Sequence, residues 1–170
     1  MAQGFTKIPL VGASCELGQH ILHHLQECTT SKFEVVVLRR LHATGRGRES
    51  QPGNVDVIVK QVDYTDHNML VNALRIIEVI VSALSAVAAI QIDPLLLDAG
   101  REASVRRIFP SEYTLDILHK SAMTTMGKSN PRVKNAMLFA SLAGADSISS
   151  TTILSGMFVH FALRGHHDNY

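Results

Sequence analysis

The chain has 170 residues, a net charge of +1 and 46% hydrophobic residues, enough for one domain that buries roughly 70% of its unfolded surface. So neutral a balance leaves no electrostatic footprint for nucleic acid. No apolar run approaches the roughly 20 residues of a membrane span, and Met1-Ala2-Gln3-Gly4 opens no signal peptide.

An apolar run containing Ile8, Leu10 and Val11 predicts a first strand that stops at Gly12. A helix follows from Leu17-Gly18, with Leu17, Ile21, Leu22 and Leu25 along one side, and ends near Glu27. Residues 33–38 read as a second, buried strand. Residues 43–54 carry Gly45, Gly47, Pro52 and Gly53 and read as a loop. A third strand is predicted over 55–62, and Asp66 is placed to cap a helix that buries Met69, Leu70, Ala73 and Leu74. Residues 78–84 form a fourth strand. Asp93-Pro94 has the pattern of a helix start, Asp as N-cap and Pro at the first helical position, with the helix running to about residue 103. Residues 105–109 form a fifth strand closed by Pro110, and the polar stretch 114–130 reads as loop with at most a short helix. A helix over 132–143 and a sixth strand over 151–158 complete the chain. Strands and helices alternating at this spacing predict an α/β, doubly wound parallel sheet of about six strands, a Rossmann-like single domain.

The stretch Leu10-Val11-Gly12-Ala13-Ser14-Cys15-Glu16-Leu17-Gly18 joins the first strand to the first helix. A strand, a tight turn and a helix in that order make a phosphate-binding corner, because the helix presents free N–H groups and its positive dipole end to the turn. The Gly-x-Gly-x-x-Gly spacing fails, since Ser14 and Leu17 stand where glycines belong. Gly-x-x-Gly-x-x-Gly fits better, with Gly12 and Gly18 present and Cys15 at the middle place. An ordinary strand–helix turn is the competing reading. At the end of the second strand an acidic residue would favour a free ribose 2′-hydroxyl, and arginine a 2′-phosphate. Here the strand ends in Arg39-Arg40 with Arg46 and Arg48 beyond, and no Asp or Glu stands near the pair. Guanidinium forks pair well with phosphate, so NADP(H) is the expected cofactor. A solvated surface pair is the alternative.

At this point the sequence resembles the NmrA-like, isoflavone-reductase-like group of atypical short-chain reductases, particularly its fungal members. The resemblance runs from Lys7 to about Leu163. It is carried by Gly-Ala-Ser-Cys-Glu-Leu-Gly (12–18), Val-Leu-Arg-Arg (37–40), Lys-Gln-Val-Asp-Tyr-Thr-Asp (60–66), Val-Ile-Val-Ser-Ala-Leu (79–84), Arg-Arg-Ile-Phe-Pro-Ser-Glu-Tyr (106–113) and Asn-Pro-Arg-Val (130–133). The resemblance implies that Arg40 holds the 2′-phosphate and that Ser82, Ala83 and Leu84 pass the cofactor's ribose and phosphates. It also implies that Ser111 and Glu112 lie near the nicotinamide end and that Asp63 borders the adenine side. Gly12, Ser14, Cys15, Leu17 and Gly18 would form the turn beneath the pyrophosphate, with Arg39 beside Arg40.

Three departures from the family pattern stand out. Cys15 replaces a glycine that lets backbone approach the pyrophosphate, so its extra atoms are expected to weaken binding. Leu142 stands where related enzymes carry an acid/base lysine in a Phe-Ala-x-Lys setting, and Lys134 lies too far along the helix to replace it. The chain ends at Tyr170, where relatives continue into a substrate-closing segment. The substrate-binding part is therefore expected to be largely absent, leaving an uncovered sheet edge open to self-association.

Other chemistry fits less well. His20 and His24 share a helix face without a third ligand, His166-His167 sits in the tail, Ser14 lacks a nucleophile elbow, and Ser111-Glu112 lacks a histidine partner. Two hypotheses follow. One is an NADPH-dependent reductase delivering hydride to a small carbonyl or enone, in fungal secondary metabolism. The other is a non-catalytic NADP(H)-binding regulator or an inactive remnant. The two cysteines, Cys15 and Cys28, form neither a disulfide framework nor a zinc pattern. This points to a reducing compartment with the cytosol as default.

Overall fold

The computed structural model describes residues 6–41, 57–142 and 147–156. The predicted loop 43–54 with Arg46 and Arg48, the first residues of the predicted third strand, and the histidine-bearing tail lie outside them. The described elements are β1 (Lys7–Val11), α1 (Glu16–Glu27), β2 (Glu34–Arg40), β3 (Ile58–Val62), α2 (His67–Leu74), β4 (Val79–Ser82), α3 (Ala86–Glu102), β5 (Arg107–Phe109), α4 (Lys120–Met126), α5 (Pro131–Ala140) and β6 (Ser149–Ser150).

All the strands pair in parallel in one six-stranded sheet of order β3-β2-β1-β4-β5-β6. This is the 3-2-1-4-5-6 order of the doubly wound dinucleotide-binding fold. The side-chain alternation of each strand feeds two cores. Leu10, Val35 and Ala83 pack with Leu17, Ile21, Leu22 and Leu25 of α1 on one face. Val11, Val36, Leu38 and Ile80 pack with Leu70 and Leu74 of α2, Leu96 and Leu97 of α3, and Phe139 of α5 on the other. Right-handed crossovers require this split, because the chain steps one way along the sheet before β3 and the other way after it.

Local signals place several element ends. The Asp66 carboxylate accepts from Met69 N at 3.0 Å and caps α2. Asn130 accepts from Arg132 N at 2.9 Å, with Pro131 at the start of α5.

Two expectations need correction. Helix α3 does not begin at Asp93-Pro94; it begins at Ala86 after the N-cap Ser85 and carries Pro94 inside it. Asp93 is fully buried there rather than exposed as a cap. Residues 151–156, the described part of the predicted span 151–158, belong to no strand, and the sixth strand is Ser149–Ser150. Its partner β5 has only three residues, and after Thr151 N donates to Ile108 O the chain leaves the sheet, with Ile153 and Leu154 exposed.

Candidate functional site

The strand order reverses between β1 and β4. In such sheets a crevice opens beyond the carboxyl ends of the strands at the reversal, and ligands bind there. A crevice of about 560 Å³ occupies that place. Cys15, Glu16, Leu17 and His20 of α1 and its cap line one wall, Ala83 to Ala86 the floor and second wall, and Ser111, Tyr113, Thr114 and Arg132 the far end. Two helices begin on it. Cys15 is the N-cap of the 12-residue α1 and Ser85 of the 17-residue α3, and neither side chain makes a capping hydrogen bond. Both positive dipole ends therefore open toward the same cavity.

Glycines bring the first of these helix ends into place. Gly12 has φ +81, and a Cβ there would meet Ala83 O at 2.5 Å. A Cβ on Gly18 would lie 2.1 Å from Gly12 O. The turn thus rests on the end of β4, and α1 rests on the turn. The predicted Gly-x-x-Gly-x-x-Gly pattern acts here through chain-on-chain packing, and Cys15 at its middle place lines the crevice with a half-buried side chain.

Beneath the floor lies a buried polar chain. Ser82 Oγ donates to Asp93 Oδ1 at 2.6 Å, and Ser111 Oγ donates to Ser82 Oγ at 2.8 Å. Ser111 N donates to Asp93 Oδ2 at 2.9 Å, and Leu84 N donates to Ser111 Oγ at 2.9 Å. The carboxylate of α3 thereby ties together the ends of β4 and β5. Burial pushes the Asp93 carboxyl up to about 6, against the lowering effect of these hydrogen bonds. Burial also raises the Tyr113 phenol to about 12.

Of the sequence-predicted site residues, Cys15, Leu17, Ala83, Leu84 and Ser111 line the crevice together. Gly12, Gly18 and Ser82 stand behind its surface as packing and polar support, and Ser14 is exposed with its carbonyl taken by Gln19 Nε2. Glu112 is buried against Asn135, whose Nδ2 donates to Oε1 at 3.1 Å, and lines a different cavity of about 290 Å³ with Leu115, Ile117 and Ala136. Burial raises its carboxyl. Asp63 Oδ1 accepts from Thr65 N and Oγ1 at 2.8 and 2.7 Å and builds the turn after β3. Arg39 and Arg40 end β2 outside the crevice lining, and the strand's pleat sends them to opposite faces. Arg40 is the exposed one, and its charge acts on Tyr64.

Several crevice residues escaped the sequence reading: Ser85 as the start of α3, Tyr113, Thr114, Arg132, and Asp93 as buried support. The Ser-Ala-Leu-Ser-Ala stretch (82–86) was the available signal for the first, a serine N-cap directly after an apolar strand.

The model of the NmrA-like family matches residues 5–126, which include the crevice lining from Cys15 to Thr114. The chain belongs to the NmrA-like family. It is 26% identical over 157 residues to Oxidoreductase aprR of Aspergillus flavus, an alignment that covers 92% of this chain and 50% of that protein. It is 29% identical over 123 residues to Pinoresinol reductase 1 of Arabidopsis thaliana, covering 65% and 37%. Among solved structures it is similar to AtPrR2 with NADP+ and (+)pinoresinol, with TM-score 0.73 and 26% identity over 94% of this chain and 52% of that one. The chain thus spans about half the length of the proteins it matches, or less. Among the described residues, no helix is long and apolar enough to cross a membrane.

Proposed function

We propose that this chain is the NADP(H)-binding part of a reductase of the isoflavone-reductase-like type. One observation carries the reading: two uncapped helix N-termini open onto one crevice at the reversal of the strand order. Their N–H groups and dipoles suit the two phosphates of a dinucleotide. Gly12 and Gly18 let α1 seat closely enough to supply its share. Arg40, exposed at the end of β2, would pair with a 2′-phosphate. Ala83 and Leu84 would pass beneath the ribose and Ser111 would border the nicotinamide end, while Ser82 acts from below. Gly12, Ser14, Cys15, Leu17 and Gly18 form the phosphate turn, while Arg39, Asp63 and Glu112 stand outside the crevice lining. The bound nicotinamide supplies a hydride for a small carbonyl or enone.

The likeness to Oxidoreductase aprR and to AtPrR2 with NADP+ supports this reading. We place the protein in the cytosol, in line with its free cysteines, and its reaction in fungal secondary metabolism. The remainder of the substrate pocket is proposed to come from a segment like the one that makes the relatives twice as long. One observation favours a regulator instead: Leu142, where the resemblance implies the family's lysine, is buried in the core and offers no proton.

The test is a fluorescence titration of the purified protein with NADPH and NADH. Saturable binding that prefers NADPH, and loses that preference in Arg40→Ala, is expected. No saturable binding up to millimolar NADPH refutes the reading. NADPH bound but not consumed over a panel of enones and quinones, by the chain joined to such a pocket-completing segment, decides for the regulator.

A further inference from the structure

The buried chain beneath the crevice has a direction that follows by elimination. An ionised carboxylate only accepts, so Ser82 must give its single hydrogen to Asp93 Oδ1. Ser82 Oγ then has none left, and Ser111 must give its own hydrogen to Ser82. Leu84 N–H takes one lone pair of Ser111 Oγ. Ser111 lines the crevice, and its Oγ keeps one acceptor position and no hydrogen to offer.

We propose that Asp93 sets the hydrogen-bonding polarity of Ser111 toward the ligand in the crevice. With Asp93 ionised, Ser111 is an acceptor that selects a ligand O–H or N–H, such as a ribose hydroxyl or a carboxamide. With Asp93 protonated, it becomes a donor that disfavours the same group. The reversal follows from the same geometry. Asp93 Oδ2 already accepts from Ser111 N, so an added proton sits on Oδ1 and is donated to Ser82. Ser82 then donates to Ser111, and the Ser111 hydrogen turns to the crevice.

The Asp93 carboxyl, held at about 6, exchanges its proton within an ordinary working range. Glu112 pushes it upward, and the Tyr113 phenol is raised in turn by Asp93. Glu16, His20 and Arg132 also line the crevice. Asp93→Asn imposes the reversed state at every pH, because Asn Oδ1 can accept from Ser111 N while Nδ2 donates to Ser82.

The inference rests on the cofactor reading above, and its test separates the two. Calorimetric titration with NADP+ is run from pH 5 to pH 7.5 on the wild type, Ser111→Ala, Asp93→Asn and the double variant. The readout is the ratio of Kd values for Ser111→Ala and wild type. The 2′-phosphate's own ionisation and the other crevice charges act on both proteins, so they cancel in that ratio. A ratio of about 10 at pH 7.5 falling to about 1 at pH 5 is expected, one hydrogen bond gained and then lost. Asp93→Asn should bind about tenfold more weakly than wild type at pH 7.5, with no further loss on adding Ser111→Ala. A ratio independent of pH, or losses that multiply in the double variant, overturns the proposal. Should Asp93→Asn fail to fold, the pH course of the Ser111→Ala ratio decides alone. A wild type that takes up no NADP+ at millimolar concentration overturns the cofactor reading and this inference with it.

Discussion

Gly18→Ala tests whether the first helix is seated by contact with the turn. The added Cβ would lie 2.1 Å from Gly12 O, a backbone atom, where ordinary contact begins at 3.4 Å. Helix and turn must therefore separate by about 1.3 Å, the difference between those distances. Neither side can yield cheaply, because Gly12 is itself pressed onto Ala83 O. Overpacking of this kind destabilises by about 1–3 kcal/mol, against which alanine's higher helix propensity returns up to about 1 kcal/mol. At the upper part of that range, about 2–3 kcal/mol, less the full offset of about 1 kcal/mol, the net loss is about 1–2 kcal/mol. At about 2–4 °C per kcal/mol for a domain of this size, the melting temperature should fall by roughly 2–8 °C. The same displacement draws the N–H groups of α1 off the crevice, so NADP+ affinity should fall at least about tenfold. Gly127→Ala is the control. It has φ +79 and ψ 144, backbone open essentially to glycine, with nothing within 4 Å, so only backbone strain applies, about 1–3 kcal/mol, and binding should hold. The two readouts are a thermal melt by circular dichroism and a calorimetric titration with NADP+. A Gly18→Ala protein with wild-type melting and wild-type affinity would refute the packing argument.

Asp66→Ala removes the N-cap of α2, about 1 kcal/mol, and should lower the melting temperature by about 2–4 °C while NADP+ affinity stays unchanged in the same titration. Cys15→Gly takes a side chain off the crevice wall and should tighten NADP+ binding several-fold by calorimetry; unchanged affinity would clear the thiol of crowding the site. Asp93 is raised from 3.8 to about 6 in the folded protein, so between those values the folded state holds more protons than the unfolded one. Stability conferred by that proton is present in acid and lost as pH rises through about 6. The melting temperature of the wild type relative to Asp93→Asn should therefore rise on going from pH 7 to pH 5, by the equivalent of about 1 kcal/mol, and a difference that is flat over that interval would contradict the shift.

The sheet was legible because a parallel strand buried on both faces reads as an unbroken apolar run. Val35, Val36 and Leu38 of β2 and Val79 and Ile80 of β4 are all buried. Asp66 was equally plain, since a cap acts within three residues of itself, whereas the Asn130-Pro131 start of α5 went unread. Glu112 and Ser111 were read as one site, yet they line separate cavities. The end of β6 was overread because the apolar residues after 151 suggest a strand. Only the brevity of β5, a fact about its partner, shows where pairing stops.

The start of α3 is the instructive failure. Asp-Pro is a sound local signal for a helix N-terminus, and a proline inside a helix loses a backbone bond at about 3 kcal/mol. The structure accepts that loss because Asp93 is engaged by Ser82 and Ser111, 11 and 18 residues away along the chain. No window of local sequence contains both partners. The consequence reaches the site. From Ser85 to Asp93 along the helix is about 12 Å, so a helix beginning at Asp93 would have its positive end about two turns removed from the crevice. The carboxylate that imitates an N-cap instead anchors the middle of a longer helix. That anchor lets the true N-terminus reach the floor between β1 and β4, opposite the N-terminus of α1. The local rule fails at the one residue that links the second helix end to the polar floor, as expected where a site imposes its own demands on the chain.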